Sequence, residues 1–360
     1  MELIELPVPT ATAGAVVIKV LGAMIAPFVR GIHDGSIAVY NLHLPLVPNP
    51  SNIGRVHSVG PDAVRLKEGD LIYFDPLIRG RDDSSVFIIQ GHHGGQGPAG
   101  KKLMQGEWRD GSLQKYQKVP LECCHLLDEN RLLKQLGYHP AELQEITIQA
   151  MCVAALIEGA DLKAGDTVII GPTTGTFGGT ACEIALLLGA QVVALGRDTK
   201  KLESLAQHLG NTDRFKYVVM TGDVQKDTAA IKGATLRGEG AEVFNDWAPG
   251  ILQDSPYWTA AFLALKPRGR VVLSGAPSGN VSIPYALAMH HCLSINGQAM
   301  CSPQTIDQTI RLVEAGTLKL GRKSGAEIAI YPLDRYHEAE ENAVQNGGFR
   351  NYTYVTPNVE

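Results

Sequence analysis

The chain has 360 residues, of which 44% are hydrophobic and 19% charged, and this is enough apolar material for two ordinary domains rather than one. A formal net charge of -5 does not supply the broad basic face that a nucleic-acid backbone requires. The composition therefore argues against DNA and RNA as partners and favours a soluble two-domain protein.

The first long apolar run, AVVIKVLGAMIAPF at residues 15–28, contains Lys19 and is too short to span a bilayer. It also lacks the basic start of a signal peptide, so we interpret it as a strand followed by a loop and expect no membrane association. The six cysteines show neither CxxC spacing nor the density of a disulfide framework. This usage predicts a reducing, cytoplasmic setting.

The segment up to residue 128 is predicted to form a β-rich domain. Short β-prone runs are separated there by glycine and proline, and they are VVIKVLG, IGRVHSVG, DLIYFDP, VFIIQG and LQKYQKV. The stretch GHHGGQGPAGKK, residues 91–102, is so rich in glycine that we expect a mobile loop without regular structure.

Residues 129–300 alternate apolar strands with amphipathic helical segments. The predicted strands are TVIIG (167–171), QVVAL (191–195), KYVVM (216–220), EVFND (242–246), RVVLSG (270–275) and LSINGQA (293–299). Such alternation predicts an α/β domain with a doubly wound parallel sheet. The remaining residues, 301–360, offer a helix, a strand and a second helix, and we expect them to return to the first domain.

A glycine-rich turn lies between the strand TVIIG and the helical segment GTACEIALLLGA. Thr173, Gly175 and Gly178 have the spacing of a dinucleotide-binding turn, in which the glycines permit a close approach of phosphate and the helix N-terminus attracts it. Thr173 stands where the first glycine is usual. We predict cofactor contacts along the whole turn, at Thr173, Thr174, Gly175, Thr176, Phe177 and Gly178, and the alternative is a tight turn with a purely structural role.

The second strand of this domain ends in LGRDTKK, where an NAD-binding fold presents a carboxylate to the ribose 2′-hydroxyl. Gly196 occupies that position, so no carboxylate repels a 2′-phosphate, and Arg197 with Lys201 or Lys200 can bind one. This pattern predicts NADP(H) rather than NAD(H). The alternative is an exposed turn in which Asp198 supplies the acidic group one position late.

The chain resembles the medium-chain dehydrogenase/reductase superfamily over nearly its full length. The resemblance is carried by VVIKVLGAMIAP, LPLVPNPSNIGRVHSVGPDAVRLKEGDLIYF, EWRDGSLQKYQKVP, ADLKAGDTVIIGPTTGTFGG and FLALKPRGRVVLSGAPSG. It implies a GroES-like β-rich catalytic domain followed by a Rossmann domain. The chain is most similar to a zinc-free branch found in fungi, in which LIRGRDD, a GxHxG loop and KKLM-x4-WRDG recur.

Zinc-dependent members of the superfamily place their ligands at positions that this chain fills differently. Ala26 stands at the position of the first cysteine, and Pro50 with Ser51 stands at the position of the His-Glu pair. Cys152 lies near the last ligand position, but one thiolate cannot hold an ion that needs three protein ligands. The four cysteines of the structural zinc lobe are also missing, so we predict no metal.

Without a metal, protein donors must meet the negative charge that develops on the substrate oxygen. We predict Tyr40, or His92 or His93 on the glycine-rich loop, as the proton donor. The alternative for Tyr40 is a packing role, which the sequence favours. Residues placed by the resemblance to line the substrate cleft are Phe28, Pro50, Ser51 and Cys152, the last of which can also be a simple buried thiol. Trp247, Gly275 and Ala276 follow strand ends where the nicotinamide ring is expected.

These features predict an NADPH-dependent, zinc-independent oxidoreductase that transfers hydride to the carbonyl of a ketone or aldehyde. Reduction of an activated alkene or a quinone needs similar donors and remains an alternative. A non-catalytic NADPH-binding protein is a second alternative, motivated by the missing metal ligands. A homodimer that extends the Rossmann sheet through LSINGQAM is expected from the family.

Overall fold

The computed structural model describes residues 1–37, 42–95, 97–250, 252, 254–277 and 280–358 of the chain. The chain forms two compact units, one made of Met1–Thr147 with Ile306–Glu360 and the other of Ile148–Thr305. The units therefore divide at 147/148 and 305/306 in the structure, whereas the sequence predicts the divisions at 128/129 and 300/301. None of the helices in the described part of the chain is long and apolar enough to cross a membrane.

The structure contains the following strands and helices. The strands are β1 (Ala15–Ile25), β2 (Asn52–Val59), β3 (Leu71–Phe74), β4 (Leu77–Arg79), β5 (Phe87–Ile89), β6 (Tyr116–Pro120), β7 (Cys124–Leu126), β8 (Thr167–Gly171), β9 (Gln191–Gly196), β10 (Phe215–Val219), β11 (Ala241–Asp246), β12 (Leu265–Leu273), β13 (Ser294–Gly297), β14 (Glu327–Pro332) and β15 (Asn351–Thr356). The helices are α1 (Val29–His33), α2 (Gly97–Gln105), α3 (Ile146–Ala154), α4 (Thr176–Leu187), α5 (Thr199–His208), α6 (Val224–Ala234), α7 (Pro256–Leu263), α8 (Tyr285–His290), α9 (Pro303–Glu314) and α10 (Tyr336–Asn346).

The first unit is built on a mainly antiparallel sheet with the order β14-β15-β1-β2-β3-β7, and β6 also pairs with β1. The last segment of the chain returns to this unit, because β15 pairs antiparallel with β1 and parallel with β14. One core of the unit gathers around Ile18, Ile72 and Phe74, all of them fully buried. The β-rich first domain is as the sequence indicates.

The second unit contains a six-stranded parallel sheet with the order β10-β9-β8-β11-β12-β13. Numbered within the unit, this is the order 3-2-1-4-5-6 of dinucleotide-binding domains, whose switch point lies between the first and fourth strands. The five residues of β8, TVIIG, are all buried, as expected for a central parallel strand covered on both faces. The predicted α/β fold with a doubly wound sheet is confirmed.

The prediction that residues 91–102 lack regular structure is wrong for residues 97–102, which lie in α2. The amides of His92 and His93 donate to the Ile89 carbonyl oxygen at 3.0 and 2.8 Å, and α2 begins at Gly97. Glycine at position 91 permits a close approach of two backbone segments. A Cβ at Gly91, whose φ is +70°, would lie 2.5 Å from the Cα of Gly111.

Candidate functional site

The turn after β8 is pinned to the neighbouring strand by Thr173. Its amide and its hydroxyl both donate to the carbonyl oxygen of Leu195 in β9, at 2.9 and 3.1 Å. Thr173 is fully buried, so its side chain serves as a tether rather than as an exposed contact. This tether gives a physical reason for threonine at a position where the first glycine is usual.

The two glycines of the turn have different environments. A Cβ at Gly175 would meet no atom within 4 Å, whereas one at Gly178 would collide with the Pro172 carbonyl oxygen and lie 2.9 Å from the Cα of Thr173. Gly178 therefore permits the close packing of helix on turn, and Gly175 leaves open space beside the backbone. Thr174 and Thr176 are half-buried beside that space.

The N-terminus of α4 faces this open space without a side-chain cap, because its N-cap residue is Gly175. The first amides of a helix have no intrahelical partner, and they carry the positive end of the helix dipole. An uncapped N-terminus after the first strand of such a sheet is a binding position for phosphate. The predicted cofactor contacts of the turn remain predictions.

Phe177, in the first turn of α4, and Trp247, directly after β11, lie together. Their rings stack with centroids 5.3 Å apart and planes 9° apart. The Trp247 indole N–H donates to Asn245 Oδ1 at 2.7 Å, and its backbone amide donates to the Gly171 carbonyl oxygen at 2.8 Å. Two residues that the sequence placed in the cofactor site thus form one rigid aromatic wall beside the glycine-rich turn.

Cys152 in α3 reaches the same turn, because its thiol donates to the Phe177 carbonyl oxygen at 3.4 Å. Burial raises the pKa of this thiol well above its ordinary value, and the neighbouring Cys182 adds to the effect. The thiol therefore stays protonated at neutral pH, which disfavours thiolate chemistry. Its contact supports the turn, and contact with substrate stays a prediction.

The end of β9 is tightly packed at Gly196. A Cβ at Gly196 would lie 3.0 to 3.2 Å from side-chain carbons of Leu202. The side chain of Asp198 instead caps α5 by accepting from the Lys201 amide at 3.1 Å. Arg197 and Lys201 are exposed, so both cations are available to a ligand at this strand end.

One buried carboxylate at the strand ends, that of Asp246, was not predicted from the sequence. Asp246 is the last residue of β11, is 1% exposed, and accepts hydrogen bonds from Tyr257, Trp258 and the amide of Ala248. Burial raises its pKa. The motif EVFND carries no signal for this role, because two of the donors lie more than ten residues further along the chain.

Gly275 and Ala276 follow β12 and lie against the loop after β11. The Ala276 amide donates to the Ala248 carbonyl oxygen at 2.9 Å. A Cβ at Gly275 would lie 2.5 Å from the Ala248 nitrogen, so only glycine fits there. Gly275 and Ala276 are thus brought to the ends of the same central strands as Trp247, while their contact with nicotinamide remains a prediction.

The candidate proton donors in the first unit have different environments. Burial, with small contributions from His93 and His33, lowers the pKa of His92 to about 4, and burial also lowers the pKa of His93. His92 is therefore neutral at pH 7, which disfavours an imidazolium donor at that position. Tyr40 lies outside the described residues.

A second group of titratable side chains in the first unit was missed. His33 Nδ1 lies 3.4 Å from Glu340 Oε1 and 3.3 Å from the Tyr336 hydroxyl, which itself lies 3.3 Å from Glu340 Oε1. Burial lowers the pKa of His33 and raises that of Tyr336. Because α1 and α10 are about three hundred residues apart in the chain, no local pattern could have indicated this cluster.

The remaining predicted substrate residues are distributed over the surface and interior of the first unit. The Ser51 hydroxyl is buried and lies 2.9 Å from Thr147 Oγ1, with the Gln144 side chain donating to it. Phe28 is 39% exposed directly before α1, and Pro50 is half-buried. Ser51 is thus held in a polar network, and its contact with substrate remains a prediction.

The residues present do not fit a zinc ion of the kind that zinc-dependent relatives hold. Across residues 1–37, 42–95, 97–250, 252, 254–277 and 280–358, no group of three or more His, Cys, Asp or Glu side chains is arranged to bind a metal. Ala26 and Pro50 have no donor atoms in their side chains, and the Cys152 thiol is engaged with Phe177. These residues therefore do not form the three-ligand site that a catalytic zinc ion requires.

Comparisons with known proteins agree with the architecture. Residues 177–315 match the family described as zinc-binding dehydrogenase. Across 99% of this chain and 95% of the other, the structure is similar to an NAD-dependent alcohol dehydrogenase, with a TM-score of 0.75 and 21% identity. It is also similar to an alcohol dehydrogenase from Thermus sp. ATN1, with a TM-score of 0.77 and 19% identity over 98% and 95% of the two chains.

A third similar structure is described as a zinc-binding dehydrogenase from Sinorhizobium meliloti 1021 bound to NADP. The similarity covers 98% of this chain and 94% of the other chain, with a TM-score of 0.75 and 20% identity. At these identities the structural matches establish the fold, and the family match covers most of the dinucleotide-binding unit. Nearly the whole chain therefore has the fold of these dehydrogenases, and residues 177–315 match the zinc-binding dehydrogenase family.

Proposed function

We propose that the chain is an NADPH-dependent, zinc-independent oxidoreductase that transfers hydride to the carbonyl group of a small ketone or aldehyde. The observation that carries the proposal is the position of the uncapped, glycine-rich turn. It follows β8, the first strand in a sheet of order 3-2-1-4-5-6, where dinucleotides bind. When bound, the nicotinamide supplies the hydride.

The preference for NADPH rests on the end of β9. Gly196 cannot be replaced there by an acidic residue without contact with Leu202, and the Asp198 carboxylate is engaged at the N-terminus of α5. Arg197 and Lys201 remain exposed and can form charge-assisted hydrogen bonds with a 2′-phosphate. The relative from Sinorhizobium meliloti that is bound to NADP supports the same preference.

Zinc independence rests on the missing ligand set, and it requires protein groups to act at the substrate oxygen. A proton must reach that oxygen when hydride reaches the carbonyl carbon. The first unit offers the predicted donors Tyr40, His92 and His93, together with the cluster of His33, Tyr336 and Glu340. Burial lowers the pKa of His33 as it lowers that of His92, so protonation state does not distinguish these two histidines as donors.

The test is NADPH oxidation, followed by absorbance, with a panel of ketones, aldehydes, quinones and conjugated enones. Parallel reactions contain NADH in place of NADPH, and a chelator in one series. We expect turnover of ketones or aldehydes that prefers NADPH and survives chelation. Turnover of enones or quinones alone would favour an enoyl or quinone reductase, and tight NADPH binding without turnover would favour a non-catalytic binding protein.

Elemental analysis completes the test of zinc independence. About one zinc ion per chain, with activity lost on its removal, would identify a zinc enzyme and contradict the proposal. Activity in a preparation without metal would support it. The same preparation must also retain its preference for NADPH.

We also propose a homodimer, because β13 is an edge strand with exposed apolar neighbours. In the described residues β13 pairs with β12 alone, and Ile283, Tyr285 and Met289, which precede it in the chain, are 40%, 80% and 54% exposed. An open edge flanked by apolar side chains favours pairing with a second copy. Sedimentation of the wild type and of Tyr285→Glu tests it: the variant is expected to shift towards monomer.

A cytoplasmic location is proposed from the cysteines. All six are free thiols in the structure, and five of them are at least half-buried. Unpaired thiols persist in a reducing compartment. Localisation of a fluorescent fusion in the source cell would test this proposal.

A further inference from the structure

The carboxylate of Asp246 is the centre of a network at the ends of β11 and β12. Its Oδ1 atom accepts from Trp258 Nε1 at 2.9 Å, from the Ala248 amide at 3.2 Å and from the Tyr257 hydroxyl. These donors are neutral, and they come from the loop after β11 and from α7. A buried carboxylate that is served by neutral donors depends on all of them to replace water.

The loop after β12 closes the network from the other side. The backbone amide of Gly275 also donates to the Asp246 carboxylate. A Cβ at Gly275 would lie 2.8 Å from Asp246 Oδ2, and the next amide, that of Ala276, donates to the Ala248 carbonyl oxygen at 2.9 Å. The loops at 247–248 and 275–276 are therefore held against each other by the Asp246 side chain together with the backbone hydrogen bond from Ala276 to Ala248.

These two loops follow the fourth and fifth strands of the sheet. In this sheet order, the nicotinamide half of a dinucleotide extends over those strand ends, and the adenosine half extends over the second strand. Arg197 and Lys201, by contrast, follow the second strand, β9. A residue that fixes only the loops after β11 and β12 should therefore affect one half of the cofactor and spare the other.

We propose that Asp246 is a positioning residue that sets the loops at 247–248 and 275–276 for the nicotinamide half of NADPH. The inference rests on the proposed function, because it assumes that the unit binds NADPH. It assigns to Asp246 no contact with the cofactor. Its action passes through Ala248 and Gly275, whose backbones it holds.

The test compares two ligands on Asp246→Asn, which has nearly the same shape. NADPH reports on both halves of the site, and adenosine 2′,5′-bisphosphate reports on the adenosine half alone. The amide of the variant replaces one acceptor by a donor, which opposes either the Gly275 amide or the donors on Oδ1. A lost hydrogen bond to a charged group corresponds to roughly a tenfold change or more, so we expect Kd for NADPH to rise by about that factor. Kd for adenosine 2′,5′-bisphosphate is expected to change less than about twofold, because this ligand lacks the nicotinamide half.

Asp227→Asn is the matched control. Asp227 is also 1% exposed and holds a loop of the same unit, accepting from the Thr221 amide at 2.9 Å, the Thr221 hydroxyl at 2.7 Å and the Gly222 amide at 2.9 Å. That loop follows β10. We expect this variant to change the affinities for both ligands by the same factor. Such an equal change is what a carboxylate with a purely structural role would produce.

Tyr257→Phe is a milder variant for the case in which Asp246→Asn does not fold. It removes one donor from the carboxylate and no other polar atom, so we expect the same selective loss with a smaller factor. If the Asp246 and Tyr257 variants lost affinity for both ligands by the same factor while the wild type bound both, the positioning role would be overturned. The proposal that the wild type binds NADPH would not be affected. Failure of the wild type to bind either ligand would overturn both the proposed function and this inference.

Discussion

The indole of Trp247 stacks on the ring of Phe177 with a centroid distance of 5.3 Å and an interplanar angle of 9°. Phe177 lies in the first turn of α4 and Trp247 directly follows β11, so the pair joins the two elements that border the switch point of the sheet. Parallel offset rings of this kind contribute more than the area that they bury. The pair is therefore a rigid wall next to the open space at Gly175.

Replacing Phe177 by Leu removes this stacking and keeps an apolar side chain. Aromatic pairs of this geometry contribute about 0.5–1.5 kcal/mol beyond burial, so we expect Kd for NADPH to rise by roughly two- to tenfold. Calorimetric titration of the variant checks this. Phe87→Leu, at a 44% exposed position in the first unit, is the control and should bind NADPH as the wild type does. Unchanged affinity in the Phe177 variant would show that the wall does not contact the cofactor.

The charge at the end of β9 predicts a change in cofactor preference. Arg197→Ala combined with Lys201→Ala removes both exposed cations and leaves the Asp198 cap, which binds the Lys201 amide rather than its side chain. Charge-assisted hydrogen bonds to phosphate contribute about 1.5–3 kcal/mol, so Kd for NADPH should rise by roughly ten- to a hundredfold while Kd for NADH stays the same. Lys216→Ala on β10, also exposed, is the control. An equal loss of affinity for NADPH and for NADH would contradict the assignment of a 2′-phosphate site.

The two glycines of the turn predict opposite outcomes for the same substitution. Gly175→Ala places a methyl group in open space at a φ of −91°, which alanine adopts readily, so Tm should be unchanged while NADPH binding weakens. Gly178→Ala places the methyl group against the Pro172 carbonyl oxygen, and overpacking of this kind costs about 1–3 kcal/mol. We expect Tm to fall by several degrees in that variant alone. Thermal unfolding and NADPH titration of both variants check the pair, and a stable Gly178 variant would show that the turn can relax.

The sequence was sufficient to predict the dinucleotide-binding unit because its signals are local. Each predicted strand of that unit overlaps an observed strand, and β8 coincides with TVIIG at residues 167–171. The glycines at 91 and 95 indicate a mobile loop when only the composition is considered. In the structure both residues have positive φ values and close backbone neighbours. Such neighbours come from distant parts of the chain, so composition alone cannot distinguish a tight crossing from a mobile loop.

The candidate site was predictable where one segment carries it and not where several segments meet. The turn from Thr173 to Gly178 is a single stretch whose spacing specifies its geometry. Asp246 depends on donors from α7 and from the loop after β12, and the contact of His33 with Glu340 spans 307 residues. Neither set has a spacing rule, because its members become neighbours only when the sheet and the C-terminal segment are in place.

The first unit contains a buried carboxyl group, Asp75, that predicts an unusual pH dependence of stability. Burial raises the pKa of Asp75 from 3.8 to about 7, although the Leu77 amide donates to it at 3.2 Å. Between those two pH values the folded protein binds more protons at this group than the unfolded chain does. The stability that Asp75 contributes is therefore fully present below about pH 4 and is lost as the pH rises through 7.

Asp75→Asn removes this titration and keeps an oxygen that can accept from the Leu77 amide. At pH 8 the variant should exceed the wild type in free energy of unfolding by a few kcal/mol, since each pKa unit corresponds to about 1.4 kcal/mol. At pH 4.5 most of that difference should disappear. Urea unfolding of both proteins at the two pH values checks this, and comparison at equal pH cancels the contributions of other groups such as His92. Asp213→Asn, at an exposed position, should give no difference at either pH. A gap that is the same at pH 4.5 and pH 8 would mean that Asp75 is ionised in the folded protein throughout this range, and that the carboxylate is stabilised by its surroundings despite burial.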